Sequence, residues 1–83
     1  MIEQGPNARG LIEYIAKSLV EAPAEVIVDE YEDGDETVIE LEVAEADLGK
    51  VIGRSGRIAR ALRMVLNAAG SKQDKRYALE IIE

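Results

Sequence analysis

The stretch Lys50 to Leu66 reads KVIGRSGRIARALRMVL, and five of the chain's ten Lys and Arg side chains lie between Lys50 and Arg63. Two glycines, Gly53 and Gly56, sit near its start with only Arg54 and Ser55 between them. Glycines at such a bend let the backbone turn sharply and leave no side chain above it, so a phosphodiester can approach the amide N–H groups. A helix starting just after them adds the positive end of its dipole at the same place. The chemistry this spacing suggests is non-covalent capture of phosphate. Glycine pairs three apart also occur at ordinary helix-to-helix turns, so the flanking charges must decide.

At ~100° per residue, the run after Gly56 puts Arg60, Arg63 and Asn67 on one polar helix face, with Arg57 at its border. Lys50 and Arg54 flank the turn itself. Ile58, Leu62, Val65, Leu66 and Ala69 fall on the opposite face. A merely solvated helix mixes in acids for i,i+4 pairs, yet no acidic residue occurs between Leu48 and Gln73. Arginine's planar fork grips phosphate and can stack on a base. An anionic ligand accounts for the pattern better than solvation does.

The formal net charge of −7 conceals a segregation. Residues 1–47 hold 2 basic and 14 acidic side chains, whereas residues 48–76 hold 8 basic and 1 acidic. One face meeting an anion while the rest stays soluble and repels it fits this asymmetry. The 83 residues include neither cysteine nor histidine, which removes disulfides, thiolate metal sites, the commonest general base and the commonest zinc ligand. Asp29, Asp33, Gly34 and Glu40 match four positions of an EF-hand loop, but Tyr31 breaks the pattern and the flanks alternate like strands. No catalytic residue, metal or cofactor is expected, and enzyme activity is not. No apolar run nears the ~18–20 residues of a membrane span, and MIEQGPNARG lacks a signal-peptide pattern. The expectation is a soluble, cytoplasmic protein.

The elements that must position the loop follow from periodicity. Met1 to Pro6 reads as a loose leader. Asn7 can cap a helix to about Ala22, striped by Leu11, Ile12, Ile15, Leu19 and Val20 and stopped by Pro23. Glu25 to Glu32 is a strand, Asp33-Gly34-Asp35 a turn, and Thr37 to Ala44 the partner strand of a hairpin. In that second strand Ile39, Leu41 and Val43 point one way, and Val38, Glu40 and Glu42 the other. A short helix from about Ala46 to Ile52, the glycine loop, and a helix from Arg57 to Ala69 closed by Gly70 lead to a last strand, Arg76 to Ile82. The hairpin should be antiparallel and the third strand parallel to the second, because a long helical crossover joins them. This is an α+β fold: a three-stranded mixed sheet with helices packed on one face, leaving Glu40, Glu42 and Glu80 on the open face.

The run Val51-Ile52-Gly53-Arg54-Ser55-Gly56-Arg57-Ile58 resembles the core of a KH domain, whose GXXG loop joins two helices and clamps single-stranded nucleic acid. The element order α-β-β-α-α-β resembles the type II KH arrangement of bacteria. The chain from about Leu11 to Ile82 resembles the short stand-alone bacterial KH proteins of the KhpA family, which makes residues 1–10 a flexible N-terminal leader and 11–83 the domain. The resemblance implies binding of roughly four nucleotides of single-stranded RNA. It implies that Gly53 and Gly56 set the loop, Arg54 and Ser55 are its variable positions, and Lys50 and Arg57 add phosphate contacts. Val51, Ile52 and Ile58 would form groove wall or underlying core, and Arg60 extends the basic face. The last strand near Tyr77 to Leu79 would offer backbone groups to base edges. Phe and Trp are absent and only three Tyr occur, so a stacking sheet is not expected; Tyr14 and Tyr31 read as packing residues.

The second helix carries more apolar surface than one buried face needs. Ala61, Met64 and Ala68 widen the arc past Val65. Such a stripe packs against a neighbouring helix or pairs two copies of the chain. The resemblance implies a homodimer, or a heterodimer with a larger KH protein of the Jag family. Two function classes follow: an RNA-binding module acting as an RNA chaperone or post-transcriptional regulator, or an assembly subunit whose basic face and helix bind a protein partner.

Overall fold

In the computed structural model, which describes residues 7–83, the Asn7 side chain caps the first helix by accepting a hydrogen bond from the Gly10 amide at 3.0 Å. Helix α1, Ala8–Leu19, buries Ala8, Ile12 and Ala16 at i, i+4 and i+8. Ala8, Arg9 and Gly10, part of the expected leader, thus form the first helical turn; residues 1–6 lie outside the described residues. The helix ends at Leu19, not near Ala22. The amides of Glu21 and Ala22 instead donate to the carboxylate of Asp47 at 3.2 and 3.1 Å, bonds that a continuing helix would forgo. Pro23–Glu25 forms a single 3-10 turn, which delays the first strand.

Strands β1, Ile27–Asp33, and β2, Glu36–Glu42, pair antiparallel with Val28 opposite Leu41. Gly34 supplies the positive φ, 64°, that a two-residue Gly-X hairpin requires. A 3-10 turn at Glu45–Asp47 leads into helix α2, Leu48–Ile52, then the loop and helix α3, Arg57–Gln73. Strand β3, Arg76–Ile81, returns beside β2 in parallel, with Leu79 opposite Ile39, so the sheet order is β1-β2-β3. The expected mixed three-stranded sheet is present. Val28, Ile39, Leu41 and Leu79 meet Ile12, Ala16, Val51, Leu62 and Leu66 in one core. Each fully buried aliphatic side chain there adds about 1.5–3 kcal/mol relative to exposure.

Three further expectations need correction. Gly70 does not end α3: the helix runs through it to Gln73 and closes as a Schellman motif. Asp74 takes the left-handed conformation (φ 57°, ψ 42°), and the Lys75 amide donates to the Gly70 carbonyl at 2.8 Å. A Cβ on Gly70 would lie 2.5 Å from the Lys75 oxygen and 3.0 Å from the Tyr77 ring, so close packing demands glycine there. Val38 is buried although it faces away from the helices. The register sets it between Tyr31 and Ala78, and Tyr31 lies over it, its phenol near Glu80 on the far strand. Desolvation, then the carboxylates of Glu80, Glu40 and Asp33, raise the pKa of Tyr31. Tyr14 is not a packing residue; it stands 73% exposed on the outer side of α1, away from Ile12 and Ala16.

Candidate functional site

Three of the four loop residues adopt positive φ: Gly53 (79°), Ser55 (57°) and Gly56 (74°). Gly53 ends α2 by donating its amide to the Gly49 carbonyl at 2.8 Å, and the Gly56 amide closes the turn on the Gly53 carbonyl at 3.1 Å. The two glycines are needed for different reasons. A Cβ on Gly53 would stand 2.7 Å from Ile58 Cγ1 and 2.8 Å from the Ile58 nitrogen. A Cβ on Gly56 would make only an ordinary contact, 3.9 Å to Arg60 Nη1, so this position needs glycine for conformation alone. Ser55 holds a left-handed backbone that costs a non-glycine residue about 1–2 kcal/mol. Strain of this kind concentrates where a backbone is held ready for a ligand.

Helix α3 starts directly from this loop with Gly56 as N-cap, no side-chain cap and no acid in its first turn. A 17-residue helix therefore presents its positive dipole end with no side-chain anion in attendance, the Arg57 amide itself already donating to the Arg54 carbonyl. Arg54, Arg57 and Arg60 are exposed around it. Among the described residues, ion pairs engage Arg9, Lys17 and Lys50 but none of Arg54, Arg57, Arg60 and Arg63.

Lys50 is less free than its neighbours, because its ammonium lies 3.6 Å from Asp47 Oδ1. Asp47 is only 2% exposed. Burial pushes its pKa up, but the Glu21 and Ala22 amides, with Lys50, outweigh this and hold it below the usual carboxylate value. An ionised Asp47 thus ties the chain after α1 to the start of α2, which fixes the entry into the loop. Val51 is fully buried and forms floor beneath the site, so it offers no surface to a ligand. Ile52 and Ile58 are half-buried apolar groups beside the loop.

A groove opens farther along α3, where the helix meets β3. Arg63, Leu66 and Asn67 line one wall and Tyr77, Ala78 and Leu79 the other, around a cavity of about 170 Å³. β3 is an edge strand. Because the Ile82 amide donates to Leu41 on β2, alternation turns the backbone groups of Leu79 outward to the free edge. Arg63 Nη2 donates to the outward-facing Leu79 carbonyl at 3.3 Å. Helical periodicity had placed Arg63 and Asn67 on the polar face, but only the antiparallel return of β3 beside α3 shows the strand edge they meet. On another side of α3, Met64 (70%) and Val65 (39%) are exposed together with Ala61 and Ala68. Among the described residues, no cluster of three or more acids could hold a metal ion, and no helix is long and apolar enough to cross a membrane.

Residues 9–81 match the family model of the KhpA/KhpB KH domain. A protein of Clostridium acetobutylicum named RNA-binding protein KhpA is 53% identical over 72 residues, covering 87% of this chain and 96% of that protein. Proteins of the same name from Aquifex aeolicus and Borreliella burgdorferi are 52% and 48% identical, over 90% and 93% of this chain and 95% and 94% of theirs. Among solved structures, Aquifex aeolicus Era bound to GDP and aluminium fluoride superposes with a TM-score of 0.54 at 20% identity, over 89% of this chain and 29% of that one. Era in complex with a segment of 16S ribosomal RNA gives a TM-score of 0.52 at 21% identity, over 89% of this chain and 28% of that one. These two likenesses speak for the fold.

Proposed function

The chain belongs to the KhpA/KhpB family of KH domains, and from that premise we propose that it clamps single-stranded RNA at the Gly53–Gly56 loop. In the clamp, the bare backbone of Gly53, Arg54, Ser55 and Gly56 and the start of α3 receive the sugar-phosphate strand. Arg54, Arg57 and Arg60 bind its phosphates, Lys50 adds charge from the α2 side, and Ile52 and Ile58 give the strand an apolar flank. The reach is about four nucleotides, as a GXXG loop engages. The observation that carries this reading is the uncapped α3 start, opening from a strained loop and ringed by arginines that no carboxylate engages among the described residues. The relatives' printed names, RNA-binding protein, point the same way. An RNA chaperone or post-transcriptional regulator working in the cytoplasm fits such a module better than an adaptor subunit or an enzyme.

The test is Arg54→Asp with Ser55→Asp, two exposed positions. Aspartate tolerates the left-handed conformation of Ser55, so the thermal melt stays near wild type while affinity for a labelled single-stranded RNA is lost in fluorescence anisotropy. Wild-type affinity should fall log-linearly with salt, by roughly 0.7 per phosphate contacted. Retained affinity in the double variant would end the clamp reading.

A second reading rests on the exposed stripe Ala61, Met64, Val65 and Ala68. We assign it to pairing with a second copy of α3, the larger KH protein of the Jag family being the alternative occupant. One four-nucleotide clamp is weak, and joining two raises their effective concentration on one RNA. Val65→Asp should yield monomers by light scattering with the fold intact; an unchanged mass rejects the interface.

A further inference from the structure

We infer that the open face of the sheet, on the side away from the helices, docks a lysine- or arginine-rich amphipathic helix of a partner protein. Alternation and register assign the residues of this face. Asp29, Asp33, Glu36, Glu40, Glu42 and Glu80 share it with a single base, Arg76. Among the described residues no ion pair engages any of these acids. Asp29, Glu40 and Glu80 stand directly opposite one another, which costs the free chain stability and which a cationic partner relieves. Charge is not the face's only feature. Tyr31, 42% exposed, lies over Val38 close to the carboxylates of Glu80, Glu40 and Asp33, and the free side of its ring attracts a guanidinium or ammonium. Toward the other end of the face Ile27 and Ile82 are 52% and 43% exposed. Ile27 stands opposite Glu42, and the Ile82 amide still donates to Leu41 on β2, so alternation sets Ile82 on the side of Glu80. They add apolar contact area that a purely electrostatic surface lacks.

The shape of the face selects a helix. Strands ~4.8 Å apart make a three-stranded face about 10 Å wide, close to the diameter of a helix, about 10–12 Å. From Ile27 to Asp33 the face runs about 20 Å, the length of ~14 helical residues. The face itself offers side chains only, because the ladder consumes the backbone groups of the central strand β2. An extended segment laid across it would leave its own amides and carbonyls unpaired. A helix satisfies its own and covers a sheet as in layered domains. The sign of the charge rejects RNA, anionic lipid and the same face of a second copy. The chain's own bases are committed elsewhere: Arg9 and Lys17 of α1 pair with Glu13, and the arginines of α3 surround the loop. The occupant is therefore a helix of another protein. Its contacting stripe sets cations over Asp29, Glu40 and Glu80 and a pair of apolar residues over Ile27 and Ile82. Because this face and the loop lie on different sides of the sheet, the partner and RNA can be held together.

The experiment uses the full chain and labelled synthetic peptides of about 14 residues, built from lysine, leucine and alanine. In two of them the lysines form one helical stripe that ends in a leucine pair, at the N-terminus in one and at the C-terminus in the other. A third scrambles the stripe at the same composition, and a fourth replaces lysine by glutamate. In about 0.15 M salt, fluorescence anisotropy should show one striped peptide binding roughly tenfold more tightly than the scrambled one. The glutamate peptide should not bind. Amide signals of Ile27 to Asp33 and Ala78 to Ile82 should move with the striped peptide while those of Gly53 to Arg57 stay. Glu40→Gln with Glu80→Gln, and separately Ile27→Ser with Ile82→Ser, are each checked by thermal melt. Either pair should weaken the striped peptide roughly tenfold and leave RNA affinity at that salt unchanged. The inference is overturned if neither striped peptide binds, or if the scrambled one binds as well, as unspecific attraction to an acidic protein would have it. It is overturned too if both pairs of substitutions are without effect, or if the sheet signals move on concentrating the chain alone, which makes a second copy the occupant. RNA that shifts the loop signals while no peptide shifts the sheet would sink the docking face and leave the clamp standing.

Discussion

Replacing Gly53 and Gly56 separately by alanine should give two quite different proteins, although the loop looks symmetric in sequence. Both positions have positive φ, 79° and 74°: Gly53, at ψ 169°, lies in a region essentially restricted to glycine, where alanine costs about 1–3 kcal/mol, and Gly56, at ψ 17°, is left-handed, where it costs about 1–2 kcal/mol. At Gly56 that is the whole cost, since the nearest atom to a new Cβ is Arg60 Nη1 at 3.9 Å, an ordinary contact. At Gly53 the new Cβ would also meet Ile58 Cγ1 at 2.7 Å and the Ile58 backbone nitrogen at 2.8 Å. A side-chain tip can move aside; a backbone nitrogen in the first turn of α3 cannot without shifting the helix. Overpacking of this kind adds about 1–3 kcal/mol.

The expected losses are therefore about 1–2 kcal/mol for Gly56→Ala and about 2–6 kcal/mol for Gly53→Ala, from the two contributions together. A chain of 83 residues has a total stability of only about 4–12 kcal/mol. Gly53→Ala therefore approaches the point where the domain is partly unfolded, while Gly56→Ala remains native. Each kcal/mol corresponds to about 4–8 °C in Tm for a domain of this size, so urea denaturation and thermal melts both resolve the pair. Equal destabilisation, or a milder effect at Gly53, would show that Ile58 does not close over the loop and would refute the assignment of the two glycines to separate tasks. RNA affinity should fall in both, and Gly56→Ala is the cleaner measure because its fold survives.

Two further perturbations test the supports of the loop. Glycine to alanine inside a helix ordinarily stabilises by about 0.5–1 kcal/mol, but at Gly70 the Cβ would lie 2.5 Å from the Lys75 carbonyl. Gly70→Ala should therefore destabilise by about 1–3 kcal/mol in chemical denaturation; a gain in stability would contradict the packing of the α3–β3 turn. Asp47 has a folded pKa below its unfolded value, because hydrogen bonds and Lys50 outweigh burial. Its contribution is then complete above the unfolded pKa of about 3.9 and is lost as pH falls through the lower folded value. The Tm gap between wild type and Asp47→Asn should be constant near neutrality and shrink below about pH 4; a gap that persists into acid shows that the carboxylate charge is not what ties α1 to α2.

The loop and the helix face were legible because each is local. Gly53, Gly56 and the arginines at 54, 57 and 60 occupy neighbouring turns, so one-dimensional spacing already placed them together. The sheet order was legible from the length of the crossover, since parallel neighbours require one. What the residues did not disclose depends on contacts between distant segments. Glycine at 70 looks like a helix stop until Lys75 and Tyr77 are seen folding back against it. Val38 looks solvent-facing by alternation until Tyr31 crosses over it from the next strand. The early end of α1 is decided by Asp47, 25 residues beyond Ala22 in sequence. Arg63 reads as one more basic residue until β3 brings the Leu79 carbonyl to it.

The sheet's open face adds a consequence for binding. Asp29, Glu40 and Glu80 stand directly opposite one another across the three strands, an arrangement of like charges that lowers stability. The row faces away from the helices, so its field reaches bound RNA only through or around the domain, whose extents are 35 × 29 × 20 Å. At physiological salt the screening length is about 8 Å, and the acids are invisible to a strand on the loop; at 0.01 M it is about 30 Å, longer than the thinnest dimension of 20 Å. Three carboxylates then oppose about four phosphates, which at ~20 Å amounts to roughly a factor of ten in affinity after residual screening. The log-linear rise of affinity on dilution should accordingly flatten as salt falls toward 0.01 M. The triple variant Asp29→Asn, Glu40→Gln and Glu80→Gln should continue straight and be more stable as well. Parallel salt curves for the two proteins, down to the lowest concentration, would mean that the acidic row exerts no force on RNA and that encounter is governed by the loop alone.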